Sequence, residues 1–189
     1  MSESDQSEKY AEIHKDLIEA CKKGSRIAQF RIYELYYKAM FNTAFRIVGD
    51  PDDAEDVMQE AFLKAFDKLD TFRGKVSFGA WLKRIVINKS LDFLKLKKSA
   101  VSLEELGNDI EQADEVGEPE LKCDPELVRK AIKTLPDGYR IVLSLFLLEG
   151  YDHEEISAIL NISNATSRTQ YHRAKKKLIE ILTEMKAIS

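Results

Sequence analysis

Residues 151–178 are YDHEEISAILNISNATSRTQYHRAKKKL, and this stretch decides the fold of the C-terminal part of the chain. The Asp-x-x-Glu pattern at 152–155 is a capping box that opens a short helix with an apolar inward face. Residues 161–163 then form a three-residue turn, and Ser163 or Asn164 caps a second helix. A helix, a tight turn and a helix over some thirty residues predict a helix-turn-helix.

The second helix carries five basic residues and no acidic residue between positions 164 and 178. Its first half holds hydrogen-bonding side chains that contact base edges in recognition helices, and its second half holds cations that neutralise phosphates. The alternative is a basic helix face that contacts only solvent. The capped helix and the tight turn that precede this helix disfavour that alternative. The predicted DNA contacts are Thr166, Ser167, Arg168, Thr169, Gln170, His172, Arg173, Lys175 and Lys176.

The net charge of the 189-residue chain is −4, which at first argues against a nucleic-acid partner. Residues 101–126, however, hold ten acidic residues and one lysine, so the rest of the chain carries +5. Eight glycines and four prolines are too few for a turn-rich β fold. We predict an all-α protein with two small helical domains joined by an acidic flexible linker. The predicted segments are an N-terminal tail and helix start at 1–24, a domain at 25–98, the linker at 99–126 and a helix-turn-helix domain at 127–185.

An acidic amphipathic helix is predicted in the first domain. Asp50 and Pro51 provide an N-cap and a first turn, and apolar residues recur at helical spacing from Ala54 to Leu69. Six acidic residues and no basic residue lie between positions 50 and 60. This face would repel DNA and suits a basic protein partner. Ordinary helix-start electrostatics is the alternative, but it does not explain the continuation to Glu60.

A basic and aromatic zone follows at residues 73–98, with eight cations against one acidic residue. Phe72, Phe78 and Trp81 are interleaved with it. Cations that track a phosphate backbone and rings that stack on bases are typical of surfaces that bind single-stranded nucleic acid. Core packing of Phe78 and Trp81 is the alternative, and the sequence leaves it open.

Enzymatic, metal and membrane functions are disfavoured. Cys21 and Cys123 are far apart and no Cys/His cluster occurs, so we expect free thiols and no zinc site. Residues 153–157 begin like the zinc motif HExxH, but Ser157 replaces its second histidine. No phosphate-binding or nucleophile motif is present, so no cofactor is expected. The N-terminus is polar and no apolar run is long enough to cross a membrane, which predicts a cytoplasmic protein.

Three segments together resemble the sigma factors of bacterial RNA polymerase, and the two-domain layout resembles their small extracytoplasmic-function (ECF) group. The segments are DAEDVMQEAFLKAF at 53–66, FGAWLKRIVINKSLDFL at 78–94 and the helix-turn-helix that ends in YHRAKKKL at 171–178. The resemblance covers residues 25–97 and 127–183. It implies a non-enzymatic subunit that directs RNA polymerase to promoters.

The resemblance also implies a role for each surface. The acidic helix would bind the clamp coiled coil of the core polymerase through Asp53, Glu55, Asp56, Gln59, Glu60 and Phe62. The basic and aromatic zone would open and recognise the −10 promoter DNA through Phe72, Arg73, Lys75, Trp81, Lys83, Arg84, Asn88 and Lys89. The helix-turn-helix residues named above would recognise the −35 element. The linker would thread towards the RNA-exit channel, and a membrane-bound anti-sigma factor would hold the protein inactive.

The chain departs from the family pattern at the recognition helix. Many members open this helix with Gly-Thr-Val-Lys-Ser-Arg, where this chain has ATSRTQ at 165–170. Gln170 therefore replaces the usual arginine, and Asn161 replaces the usual glycine of the turn. These changes concern the −35 sequence rather than the fold. A stand-alone helix-turn-helix regulator that binds duplex DNA as a dimer is the competing class, and the first domain argues against it.

Overall fold

A computed structural model of the chain describes residues 14–98 and 124–187. Most of the predicted linker, including Cys123, lies outside the described residues. Every regular element in the two described ranges is helical, and the chain divides into two compact units at residues 97 and 98. The all-α prediction is confirmed. The predicted domain boundaries stay predictions.

Within residues 14–98, the first unit contains four α-helices and one short 3₁₀ helix. They are α1 (Lys15–Lys22), α2 (Arg26–Val48), α3 (Pro51–Asp67), the 3₁₀ helix (Leu69–Thr71) and α4 (Phe78–Lys98). The second unit contains α5 (Pro125–Thr134), α6 (Asp137–Leu147), α7 (His153–Leu160) and α8 (Asn164–Ala187).

Helix α3 begins where the sequence predicted. The Asp50 carboxylate accepts hydrogen bonds from the backbone N–H groups of Asp52 and Asp53, at 3.0 and 3.1 Å, and Pro51 occupies the first turn. These bonds satisfy donors that a helix start otherwise leaves without a partner. The inward face of α3 is entirely apolar and buries Ala54, Val57, Met58, Ala61, Phe62 and Ala65.

Small residues let α2 and α3 approach closely. Ala44 of α2 and Ala54 and Ala61 of α3 are fully buried. A methyl side chain at such positions allows two helices to pack closely, and the larger Ile47 and Met58 are also buried on these helices. The surfaces of α3 that face away from α2 are thereby held in fixed directions.

A tight bend separates the 3₁₀ helix from α4. Gly74 has a φ of +70°, a conformation that residues with a Cβ rarely adopt. Ser77 then caps α4, because its hydroxyl accepts from the backbone N–H of Ala80 at 3.2 Å. Gly79 lies against Tyr36 of α2, and a Cβ at this position would come within 3.0 Å of the tyrosine ring.

The second unit is built around one side of α8. Ala174, Leu178 and Leu182 of α8 pack with Ala131, Ile132, Leu135 and Leu143 of α5 and α6. Helix α6 starts at Asp137, and Gly138 lies in its first turn. Leu135 and Pro136 separate α5 from α6, and Pro136 is the N-cap residue of α6.

Candidate nucleic-acid and protein interfaces

The helix-turn-helix has the predicted turn. Asn161 ends α7 in the left-handed conformation, with φ 56° and ψ 47°, which asparagine tolerates better than most residues. The Ser163 hydroxyl accepts from the backbone N–H of Thr166 at 2.9 Å and so caps α8. The predicted capping box of Asp152 and Glu155 is also present. Asn161 therefore adopts the left-handed conformation at the position where many family members have a glycine in this turn.

Helix α8 exposes most of the predicted DNA contacts. Arg168, His172 and Lys176 are exposed, and Thr166, Thr169, Arg173 and Lys175 are partly exposed. Arg168 Nε donates to Asn164 Oδ1 at 2.9 Å, one turn earlier on the same helix. This bond engages Nε, whereas the terminal nitrogens of an arginine are donors that can pair with guanine in the major groove.

Two of the predicted contacts point inward instead. Ser167 is fully buried and Gln170 is 8% exposed, so this structure leaves almost none of either side chain accessible to DNA. Both lie on the inward face of α8, since positions 167, 170, 174 and 178 recur at helical spacing. The buried Ala174 and Leu178 could have revealed this, as could the valine that many family members carry where this chain has Ser167.

His153 holds the buried Ser167, and the sequence had not singled it out as a site residue. Its Nδ1 lies 3.0 Å from Ser167 Oγ, so the pair joins α7 to α8. The His153 ring stacks on Phe146 of α6, with centroids 4.7 Å apart, and meets the edge of Tyr171 at 5.5 Å. Burial lowers the pKa of His153, and the charges of Arg168 and His172 lower it further.

The acidic face of α3 is divided between solvent and α4. Glu55, Asp56 and Gln59 are exposed, with Glu55 accepting from Gln59 at 3.2 Å. Glu60 instead pairs with Lys89 of α4 at 2.8 Å, and Asp53 pairs with Lys97 of α4 at 2.5 Å. Two predicted polymerase contacts are therefore already engaged within the unit.

Phe62 was predicted to contact the polymerase, but it is only 2% exposed. Its ring packs against Tyr33 of α2, with centroids 4.9 Å apart. It belongs to the apolar stripe of α3 and lines a surface groove. Its contact with the polymerase stays a prediction, and a partner would reach it only through this groove.

That groove was not among the surfaces predicted from the sequence. It lies between α2 and α3, has a volume of about 490 Å³, and is bordered by Phe30 and Leu63, which are 60% and 71% exposed. Its other lining residues are Arg26, Gln29, Tyr33, Gln59, Phe62 and Phe66. A cluster of exposed large apolar residues marks an interaction surface more often than chance. Leu63 gives a sequence signal, because it is apolar but lies off the buried stripe of α3.

The basic and aromatic zone combines a packed base with an exposed tip. Phe78 is buried, and the half-buried Phe72 and Trp81 pack on it and on each other with centroids 5.4–5.6 Å apart. The core-packing alternative therefore holds for Phe78. At the tip, Arg73 and Lys75 are exposed, and Val76 is 51% exposed between them and α4.

The remaining predicted −10 residues lie on α4. Asn88 is exposed, whereas Lys83, Arg84 and Lys89 are partly exposed. Of these, Lys89 bonds the Glu60 carboxylate of α3. The face of α4 available to DNA is therefore narrower than its lysine content indicates.

The described residues contain neither a cluster of metal ligands nor a membrane-spanning helix. Within residues 14–98 and 124–187, no three His, Cys, Asp or Glu side chains come together as metal ligands. Among the helices of the same ranges, none is both long and apolar enough to span a bilayer.

Two helical units, one with an acidic helix beside an apolar groove and one with a helix-turn-helix, define a DNA-binding protein that also has a surface for a protein partner. Comparison with known families specifies the class. The sigma-70 region 2 model matches residues 32–100, and the sigma-70 region 4 model matches residues 126–178. The chain belongs to the ECF group of the sigma-70 family of RNA polymerase sigma factors.

Individual relatives agree with this assignment. The chain is 32% identical over 176 residues to the ECF RNA polymerase sigma-E factor of Escherichia coli K12, which covers 86% of this chain and 90% of the relative. It is 29% identical over 185 residues to the ECF RNA polymerase sigma factor SigW of Bacillus subtilis, which covers 90% and 97%. The protein is thus a promoter-recognising subunit that directs transcription initiation with RNA polymerase, and it is not an enzyme.

Solved structures give the same fold. The sigma factor RpoE of Bartonella quintana, solved in complex with the anti-sigma factor NepR, matches with a TM-score of 0.57 and 25% identity over 81% of this chain and 95% of that one. CnrH, solved with the cytosolic domain of CnrY, matches with a TM-score of 0.53 and 23% identity over 89% and 96%.

Proposed function

We propose that the first unit docks on core RNA polymerase through α3 and binds −10 DNA through the loop before α4, while the second unit binds −35 DNA through α8. One observation carries this proposal, namely the separation of exposed charge. Glu55 and Asp56 form an exposed acidic surface on α3, whereas Arg168 and Lys176 are exposed on α8. Opposite charges on separate surfaces require partners of opposite charge.

The polymerase-docking surface is the exposed acidic face of α3 together with the groove that continues it. Gln59 belongs to both, since it bonds Glu55 on one side and lines the groove on the other. A helix with basic residues at one end and apolar residues at the other would satisfy both parts, and the clamp coiled coil of the polymerase is the proposed partner. Apolar anchors in such a groove supply most of the binding energy, while charges add specificity.

The −10 surface is the exposed tip formed by Arg73, Lys75 and Val76. Phe72 and Trp81 hold the base of this loop against the buried Phe78, so the tip keeps its position when bases leave the duplex. Unstacking costs a few kcal/mol per base, and a preformed surface offsets this cost without ordering itself first.

The −35 surface is the exposed side of α8, from which Ser167 and Gln170 are now removed. Arg168 is the proposed base-specific residue, because its side chain is exposed near the start of α8 and Asn164 holds its Nε. Lys176 and Arg173 lie further along the helix, where contacts to phosphates position the protein without specifying sequence.

The protein is expected to act in the cytoplasm, where RNA polymerase is located. An anti-sigma factor is a further proposed partner, supported by the NepR complex of the similar RpoE. Such a partner would silence transcription most directly by covering the α2–α3 groove, because the polymerase needs the same surface.

Reconstitution tests this assignment. The full chain is added to core polymerase and transcription starts are mapped on genomic DNA, with −10 and −35 variants of each promoter found. Start sites that depend on both elements would support the proposal. Tight binding of the chain alone to a two-fold symmetric duplex, without promoter-dependent transcripts, would contradict it.

A further inference from the structure

The contact between His153 and Ser167 is a polar link inside the helix-turn-helix. Ser167 is fully buried on α8, and His153 is the first residue of α7. Their side chains meet at 3.0 Å, and Phe146 and Tyr171 cover the histidine ring from α6 and α8. The bond therefore lies at the contact between the recognition helix α8 and the preceding helix α7.

The position of Ser167 gives this bond a consequence for DNA. Its sequence neighbours, Thr166 and Arg168, lie on the accessible side of α8, about 100° away around the helix axis. Apolar contacts such as Ala174 and Leu178 hold α8 against the unit but impose little directionality. A hydrogen bond is directional and fixes the rotation of the helix at the height of Arg168.

We infer that His153 is a positioning residue for promoter recognition, which through Ser167 fixes the rotation at which α8 presents Arg168 and Thr169 to DNA. This inference rests on the proposed function of α8 as the −35 contact. It assigns Ser167 to the internal support of the recognition helix rather than to the DNA surface, and it gives His153 a role although it does not face DNA.

The surroundings of His153 favour the neutral ring that this role uses. From α8 it faces Arg168, His172 and Tyr171, from α6 it faces the uncharged Phe146, and beside it on the N-terminal side is Asp152. Burial lowers the pKa of His153, Arg168 and His172 lower it further, and Asp152 opposes them. The ring also occupies the start of α7, where the helix dipole disfavours a cation.

Nitrogen-15 NMR of the full chain tests the bond itself. The chain has three histidines, so His14→Asn and His172→Asn variants identify the His153 signals by elimination. We expect the Nδ1 resonance of His153 to shift in Ser167→Ala and to titrate below the usual histidine range. An Nδ1 resonance that Ser167→Ala leaves unchanged would overturn the inference, whatever α8 binds.

Transcription with core polymerase tests the consequence. On a mapped promoter, the ratio of transcription with an intact −35 element to transcription with a scrambled one is measured for each variant. We expect His153→Ala and Ser167→Ala each to reduce this ratio about two- to tenfold, the range expected for one hydrogen bond. The double variant should be no worse than the stronger single variant, because the two residues act as one unit.

Two further variants separate positioning from folding. His153→Asn keeps a polar atom close to the position of Nδ1, and we expect it to retain most of the −35 preference. Ser157→Ala is the matched control, because the Ser157 hydroxyl bonds the Glu154 carbonyl within α7 at 2.7 Å and makes no link to α8 in the described contacts. Equal losses in Ser157→Ala, or multiplying losses in the double variant, would overturn the inference. A wild-type protein without −35 dependence would instead overturn the proposed function of α8.

Discussion

Helices α3 and α8 each turn one charged surface outward, but they are anchored by different kinds of contact. The inward face of α3 is wholly apolar, from Ala54 to Ala65. Near its start α8 buries two polar residues, Ser167 and Gln170, and its buried apolar residues Ala174, Leu178 and Leu182 follow them. The exposed acidic residues of α3 thus lie opposite non-directional packing, whereas the proposed DNA surface of α8 is also supported by a directional bond. Charge changes at the exposed Glu55 and Asp56 should therefore act only through the partner of α3, while small uncharged changes beneath α8 should alter its function.

The largest expected effect is on polymerase binding. In Glu55→Lys/Asp56→Lys, two exposed acidic residues become basic without losing a described ion pair, and like charges then face the basic partner. We expect core polymerase affinity to fall roughly ten- to a hundredfold, measured by fluorescence anisotropy of labelled protein. Asp16→Lys/Glu184→Lys is the matched control with the same change in net charge at exposed sites elsewhere. If both double variants bind equally well, the acidic face of α3 is only a solvated helix start.

The next effect concerns sequence specificity. Arg168→Ala removes the proposed base contact and should cost about 1–3 kcal/mol at a single −35 position. Transcription from a set of −35 variants measures this, and the preference at one base pair should relax while the others persist. A loss of the same size on every variant would make Arg168 a phosphate contact.

Lys176→Ala sharpens that distinction, because Lys176 lies two turns further along the exposed side of α8. As a phosphate contact it should weaken transcription on all −35 variants alike, by a factor of a few. The same promoter set is used. A base-specific loss in Lys176→Ala would show that the two residues have exchanged the proposed roles.

Binding through the groove between α2 and α3 should depend on the apolar character of its lining rather than on charge. Leu63→Gln keeps the size of an exposed side chain but removes its apolar surface, and we expect core affinity to fall about three- to thirtyfold without a change in the free energy of unfolding. Leu96→Gln on α4 is the control, since Leu96 is 75% exposed and outside the groove. Equal affinities for the two variants would remove the groove from the docking surface.

The smallest expected effect is on how the free energy of unfolding depends on pH. Because the folded state lowers the pKa of His153, the unfolded chain binds more protons as the pH falls through the usual histidine range. The contribution of neutral His153 to the free energy of unfolding is therefore complete above about pH 6.5, and it is lost as the pH falls through the pKa of His153 in the folded state. Urea unfolding at pH 8 and pH 5.5 should show a smaller loss for His153→Asn than for wild type. An identical loss would mean that His153 titrates normally.

Local chemistry explains what the sequence could predict. Asp50 and Pro51 start α3, Ser163 caps α8, and Asp152 with Glu155 starts α7, because capping depends on residues within one turn. Helix faces could be predicted where apolar and charged residues alternate, as in α3. At the start of α8 both faces are polar, so only the helical spacing to Ala174 and Leu178 could assign Ser167 and Gln170 to the inside.

Contacts between distant residues explain the rest. The pairs Asp53–Lys97 and Glu60–Lys89 join residues 44 and 29 positions apart, and neither helix by itself indicates that they meet. The groove likewise needs Phe30 of α2 beside Leu63 of α3, which only their packing brings together. The acidic surface predicted to bind protein and the basic surface predicted to bind DNA are therefore joined by ion pairs within the first unit.

These ion pairs also change how many counterions the first unit can release. Residues 73–98 contain eight cations, but Lys89 and Lys97 are already neutralised by carboxylates of α3. Only a cation without such a partner displaces a condensed ion from nucleic acid, and each one contributes roughly 0.7 to the logarithmic salt slope on a single strand. The affinity of the first unit for −10 DNA should consequently depend less steeply on salt concentration than eight lysines and arginines would indicate. Glu60→Gln should make this dependence steeper, because it removes the carboxylate that pairs with Lys89.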